Sequence, residues 1–235
     1  NNKFSNDANL FEDLRRYSHE YVKNCRLRVL KYIPKKGDKI LDFASGPIQY
    51  KEYLKYSKNF KKRYCVDFSK KAIKEAKKVL GKKGKYFCDD FMNINFKENY
   101  FDCSVSMHTI YNINKNDQKK VVEKLLKITK KGKPVVIIYS NPSTIISKLT
   151  YFFKRKKKIN LYFFCHKISW WYQFKKNADV KIYPWRSFSS QHQRILFPNN
   201  IIGSVMLKIM FKFENIFPNF FARHFQYPII VLTKH

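Results

Sequence analysis

Lys39-Ile-Leu-Asp-Phe-Ala-Ser-Gly-Pro-Ile48 decides the fold of this chain. Lys39 to Leu41 opens a short apolar run that reads as a buried strand. It ends in an acid, Asp42, and passes directly into small residues before a helical segment begins near Tyr50. In an open α/β sheet the ligand crevice lies at the carboxyl ends of the strands, and the first strand-to-helix loop is its floor. Small residues there let a ligand approach the backbone, whose N–H groups at the helix start hold a carboxylate or phosphate. Gly and Ser also mark ordinary turns, so the reading rests on the strands and helices downstream.

A second strand, Arg63 to Val66, ends at Asp67 and flows through Ser69 into a helix from Lys70 to Leu80. Asp67 lies 25 residues beyond Asp42, near the spacing at which an acid on a second strand meets a ribose hydroxyl pair. A third strand, Lys85 to Cys88, ends at Asp89-Asp90-Phe91. A fourth, Phe101 to Met107, leads into His108-Thr-Ile-Tyr-Asn112. A helix from Asn116 to Thr129 and the turn Lys131-Gly-Lys-Pro134 precede a fifth strand, Val135 to Tyr139. Strands alternating with helices of this length predict a parallel, doubly wound sheet.

This run of motifs resembles the class I S-adenosylmethionine (SAM) dependent methyltransferases over nearly the whole chain. Leu41-Asp-Phe-Ala-Ser-Gly46 is similar to their first motif, Asp-x-Gly-x-Gly-x-Gly. Val66-Asp-Phe-Ser69 with Ala72-Ile-Lys-Glu-Ala76 resembles the second, Asp89-Asp-Phe91 with Asn95-Phe96 the adenine-contacting turn, and Phe101-Asp102 the opening of the fourth strand. Lys131-Gly132 stands where the family has Lys-Pro-Gly-Gly. More narrowly, Ala44 to Tyr50, His108-Thr-Ile-Tyr111, Trp185-Arg-Ser187 and Gln226-Tyr-Pro228 resemble a bacterial branch associated with surface-polysaccharide gene clusters.

The resemblance implies a seven-stranded Rossmann-like sheet whose last strand, Tyr227 to Thr233, enters antiparallel between the fifth and a sixth at Asp179 to Pro184. It also implies SAM as cofactor, held by Asp42, Ala44, Ser45, Gly46, Asp67, Phe68, Asp90, Phe91 and Met107. Two family glycines are replaced, by Ala44 and Ile48. The loop has only an amino-acid carboxylate and a sulfonium to admit, so Ala44 is acceptable if its φ is negative. A degenerate, non-catalytic scaffold is the alternative that these replacements keep open.

One methyltransferase domain over 1–235 is expected: a SAM-binding core at 1–140, a substrate cap with the sixth strand at 141–226, and the last strand at 227–235. The length suits a single core. No apolar run approaches the roughly 20 residues of a membrane helix. The start, Asn1 to Ser5, is polar, without a signal core, and lacks Met, so leading residues are expected to be missing. The five cysteines form no Cys-x-x-Cys pair or His-Cys cluster. They read as reduced thiols of a cytoplasmic protein with no metal site.

A net charge of +32 raises nucleic acid as a partner. Abundant Lys, Asn, Ile, Phe and Tyr with scarce Ala also reflect AT-rich codons, and most lysine pairs fit solvated helix faces. Lys154-Arg-Lys-Lys-Lys158 is different, being flanked by Tyr151-Phe-Phe153 and Leu161-Tyr-Phe-Phe164. It reads as a basic loop between packed aromatic helices, as peripheral contact with anionic membrane, or, ranked below these, as a stacking surface for single-stranded nucleic acid.

In the cap, His166 to Phe174 reads as a helix with Trp170 and Phe174 on one core face, and Ile201 to Phe213 as a mostly apolar helix. Methyl transfer from a sulfonium is an in-line displacement in which alignment contributes about 7–11 kcal/mol. A hydroxyl acceptor also needs a base, worth roughly 10²- to 10⁴-fold. His108, directly after the fourth strand, is the candidate general base, with Tyr111 orienting it or facing the sulfonium. His166, Trp185, Arg186 and His192 are candidate acceptor contacts: Arg186 for a carboxylate or phosphate, Trp185 for stacking on a sugar. Glu214 reads as an ion-pair partner of Arg194 or Arg223 pinning the insertion, or else as a hydroxyl acceptor. An O-methyltransferase acting on a small molecule or glycan leads. An RNA or protein methyltransferase stands behind it, for no Asn/Asp-Pro-Pro-Tyr motif follows the fourth strand.

Overall fold

Runs such as Val135–Ile138 and Ile229–Leu232, apolar at every position, have no face to offer water and form strands covered on both sides. The computed structural model describes residues 12–149 and 162–235. Its strands are β1 (Gly37–Phe43), β2 (Phe60–Val66), β3 (Gly84–Phe87), β4 (Cys103–Met107), β5 (Pro134–Ile138), β6 (Ala178–Arg186) and β7 (Tyr227–Lys234). They make one sheet in the order β3-β2-β1-β4-β5-β7-β6. Pairing is parallel from β3 through β5, and β7 runs antiparallel to both β5 and β6. The order reverses between β1 and β4, so the switch-point crevice opens beside Ala44 and His108. The expected fold is the observed one.

Helices cover both faces. Described in chain order they are α1 (His19–Arg28), α2 (Lys51–Leu54), α3 (Lys70–Leu80), α4 (Gln118–Ile128), α5 (Ile145–Leu149), α6 (Ser190–Leu196), α7 (Ile201–Ile216) and α8 (Pro218–His224). On one face Val121, Val122, Leu125 and Leu126 of α4 pack with Leu41, Ile137, Trp171 and Phe174. On the other, Tyr21, Val22 and Cys25 of α1 meet Ile40, Val105, Trp185 and Leu207. Helix starts follow side-chain chemistry: Ser69 accepts from the amide of Ala72 at 3.2 Å and Asn200 from that of Gly203 at 3.0 Å. The Lys154–Lys158 run lies outside the described residues. Among the described residues no helix is long and apolar enough to cross a membrane, and no cluster of metal-ligating side chains occurs.

Two local expectations are corrected. Ile168–Lys176 is a 3₁₀ helix, not an α-helix. Its three-residue turn aligns Trp171 with Phe174, so Trp171 is fully buried while Trp170 stacks flat on His166 at 4.3 Å. Glu214 pairs with neither Arg194 nor Arg223. Fully buried on α7, it holds Arg28 Nη1 at 2.8 Å. It also accepts from the Tyr21 hydroxyl (2.6 Å), the Ser187 hydroxyl (2.6 Å) and the Ser187 amide (3.1 Å). The insertion is therefore pinned to the end of β6, as expected of its structural role, through a partner 186 residues away in sequence.

Candidate active site

The loop after β1 carries the geometry that the family glycines would supply. Ala44 (φ +54°), Gly46 (φ +57°) and Ile48 (φ +54°) all lie in the left-handed region. The requirement that Ala44 keep a negative φ is not met. A left-handed residue with a Cβ costs roughly 1–2 kcal/mol, and a β-branched one such as Ile48 is a genuine outlier. The strain is held by the surroundings: Ile48 is buried with Cys65 and Ala76, and the Ser45 amide donates to Val66 O at 3.1 Å. Gly46 opens outward, since a side chain built there would meet nothing within 4 Å. That open space is where a ligand can meet the backbone.

Asp67, at the end of β2, ties the loops together. One carboxylate oxygen accepts from the Gly46 amide (2.9 Å) and the other from the Ser69 amide (2.8 Å). Each oxygen keeps a lone pair, enough for a hydroxyl pair. Beside it Phe68 is 71% exposed, an unburied ring that offers a stacking face. Asp90 is half-buried after β3, accepting from the Met92 amide at 2.8 Å. These residues fit a nucleoside, and the loop at Ala44–Gly46 fits its amino-acid end. Two candidates do not reach the rim. Asp42 is buried in an ion pair with Arg63, whose Nε donates at 3.0 Å. Phe91 is core, packed on Phe43 at 4.5 Å, where it supports the Asp89–Asp90 turn. Met107, half-buried, packs against the second core cluster.

Across the switch point a second corner forms from β4, β6 and β7. His108 sits at φ +57°, directed there by its amide bond to Ile138 O (3.1 Å) and by Asn112, which donates to its carbonyl at 3.0 Å. Its Nδ1 lies 3.0 Å from the Tyr111 hydroxyl, and its ring meets Trp185 at 4.6 Å and Tyr227 at 5.1 Å. Burial, with Arg186 adding repulsion, pushes the imidazole down to about 3. The expected titration near 6.5 is therefore displaced far below neutrality. Burial holds the Tyr111 hydroxyl far above its usual range, so Tyr111 keeps its proton, and the tautomer of His108 sets which of the two groups donates.

Arg186 and Trp185 are both buried. The guanidinium lies 4.9 Å from the Trp185 ring and 5.0 Å from that of Tyr227, with Nε and Nη1 unpartnered. Trp185 is sealed in the core, so it cannot stack on a sugar and instead backs His108. His166 stands one aromatic layer away: its amide donates to the Tyr139 hydroxyl at 2.7 Å, and Tyr139 meets Tyr111 at 5.8 Å. His192 belongs elsewhere, bonded through Nδ1 to its own N-cap, Ser189, at 3.0 Å. Tyr227 lines this corner beside His108 and Arg186, and sequence reasoning did not single it out. Its only signal was its place in Gln226-Tyr-Pro228, just before an apolar strand.

Residues 41–137 match the family described as methyltransferase domain. No curated protein matches the chain. Solved structures with the same fold include a putative methyltransferase from Haloferax volcanii in complex with a methyltransferase activator (14% identity, 92% of this chain and 90% of that one, TM-score 0.60). A SAM-dependent methyltransferase from Archaeoglobus fulgidus is similar over 92% of this chain and 94% of its own (17% identity, TM-score 0.59). Geranyl diphosphate C-methyltransferase from Streptomyces coelicolor is similar over 89% and 76% (11% identity, TM-score 0.59). Residues 41–137 thus match a methyltransferase domain, and the whole sheet has the fold of these methyltransferase structures.

Proposed function

We propose that this chain transfers a methyl group from SAM to a hydroxyl of a small molecule or glycan, lipid-linked saccharides included, as the surface-polysaccharide branch it resembles would imply. The observation that carries the cofactor part is the loop of three left-handed residues, only one of them glycine. A chain that had abandoned ligand binding would have no cause to hold Ala44 and Ile48 under strain. Asp67 would take the ribose hydroxyls, Phe68 would stack on the adenine, and Asp90 would receive its amine. Bound SAM supplies an electrophilic methyl carbon and a neutral thioether leaving group.

The acceptor would enter at the corner of His108, Tyr111, Arg186 and Tyr227. His108 would take the hydroxyl proton as the new C–O bond forms. A protonated ether is a far stronger acid than an imidazolium, even one destabilised by burial, so the transfer runs downhill without a base poised near neutrality. In the Nδ1–H tautomer the ring would donate to the Tyr111 oxygen, which would fix its orientation. That tautomer leaves Nε2 without a proton of its own, ready to receive the one from the acceptor hydroxyl. Arg186, buried with Nε and Nη1 unpartnered, would receive a carboxylate or phosphate of an acceptor whose entry opens this corner. The test is transfer of labelled methyl from SAM to nucleotide sugars and lipid-linked saccharides, run beside ribosomal RNA and basic protein. Label on a hydroxyl of the first group supports the reading; label only on nucleobase or amine nitrogen overturns it.

A further inference from the structure

Helices α6–α8 carry most of the exposed large apolar side chains among the described residues. On α7, Ile201, Ile202, Val205, Ile209, Phe213 and Ile216 are all exposed, Ile201 by 70%, and the patch continues onto α6 and α8. These six fall within a sector of about 120° at 3.6 residues per turn. The opposite side, with Gly203, Leu207 and Glu214, is buried against the protein. Such a stripe is not a by-product of folding, because folding has already covered the other face. Scattered exposed apolar residues need no explanation, but a contiguous face of this extent marks an interaction site.

We infer that this face docks on an anionic bilayer surface, with α7 lying in the plane of the interface. Charge selects the occupant. Glu214 is the sole acid between Ser190 and His224, and it is buried and spent on Arg28. Lys208 and Lys212 run along one edge of the apolar sector, both exposed, and Arg223 follows on α8. Lys208 also meets Glu20 of α1 at 3.1 Å, a solvent-exposed pair that water screens. Lysines at the border of an apolar helix face bury their stems and reach anionic headgroups. A second copy of this chain would place those cations against their own counterparts across a two-fold axis, with no exposed acid on α6–α8 to offset them. The helix is too short and too charged to cross the membrane, so it lies on it. This inference is independent of the methyl-transfer reading.

The test is co-sedimentation of the full chain with vesicles of phosphatidylcholine and phosphatidylglycerol, 70:30, against pure phosphatidylcholine. Binding to the anionic vesicles, at least tenfold stronger than to the neutral ones and weakened by added salt, is expected. The triple variant I202E/I209E/F213E changes exposed positions only, so its circular dichroism and melting should match the wild type while its partition falls at least tenfold. Retained binding by that variant, equal binding to both vesicle types, or no vesicle binding beside concentration-dependent self-association in ultracentrifugation would each overturn the assignment.

Discussion

Replacing Glu214 by glutamine tests the coupling between the insertion and the site. The change keeps shape but removes the only carboxylate bonded to Arg28 among the described residues, whose guanidinium is buried and whose Nε and Nη2 already lack partners. It also weakens the acceptor shared by the Tyr21 and Ser187 hydroxyls, both at 2.6 Å. Breaking one partner of a buried pair costs about 3–5 kcal/mol, chiefly because the other charge is stranded. At roughly 2–4 °C per kcal/mol for a domain of this size, melting should fall by about 6–20 °C. Adding Arg28→Met removes the stranded charge, so the double variant should be more stable than Glu214→Gln alone. Calorimetry or urea unfolding of the three variants reads both numbers. A single-variant cost under about 1 kcal/mol, or a double variant as poor as the sum of the two singles, would refute the idea that this pair pins α7 to α1 and, through the Arg28 bond to the Trp185 carbonyl, to β6.

Three other outcomes are expected of the site. His108→Ala should lower kcat roughly 10²-fold or more with SAM affinity nearly unchanged; a variant keeping most of its rate would move the proton acceptor elsewhere. Because His108 titrates near 3 in the folded chain and near 6.5 unfolded, its neutral form favours folding above pH 6.5. That contribution is lost as pH falls from 6.5 toward 3, by up to about 1.4 kcal/mol per unit; pH-dependent unfolding of wild type and His108→Gln should differ in slope there, and the rate should show no ionisation from His108 between pH 6 and 8. Ala44→Gly should be neutral to stabilising by up to about 1 kcal/mol, strain relief outweighing the added freedom of the unfolded chain; a loss above about 1 kcal/mol by urea unfolding would mean the left-handed loop is not strained.

The helix at Lys70–Leu80 was legible to the residue, because Ser69, an amphipathic run and Gly81 mark start, face and stop. The strand order and the antiparallel last strand came from the family resemblance, and the pairing of β7 with β5 and β6 agrees. The rim acids divided. Asp67 stays at the crevice, whereas Asp42 turned inward because Arg63, on the neighbouring strand and 21 residues away, had no visible claim on it in the sequence. Phe91 and Trp185 show the same limit: a large ring near a motif reads as a contact, and only packing decides that it is core. His108 was placed correctly at the end of β4, but its depressed pKa depends on Trp185, Arg186 and Tyr227, which the sheet order alone brings beside it.

The central claim is that the strained loop and Asp67 form a SAM site, and titration calorimetry with SAM on wild type, Asp67→Ala and Gly46→Val measures it most directly. Valine at Gly46 projects into open space rather than into protein, and its left-handed φ costs about 1–2 kcal/mol, so a folded variant that blocks the ligand is expected. The wild type should show one site, with affinity at least tenfold weaker in Asp67→Ala, a loss of about 1.4 kcal/mol, and no measurable binding to Gly46→Val. Undiminished affinity in both folded variants, or no binding of SAM to the wild type, would contradict it.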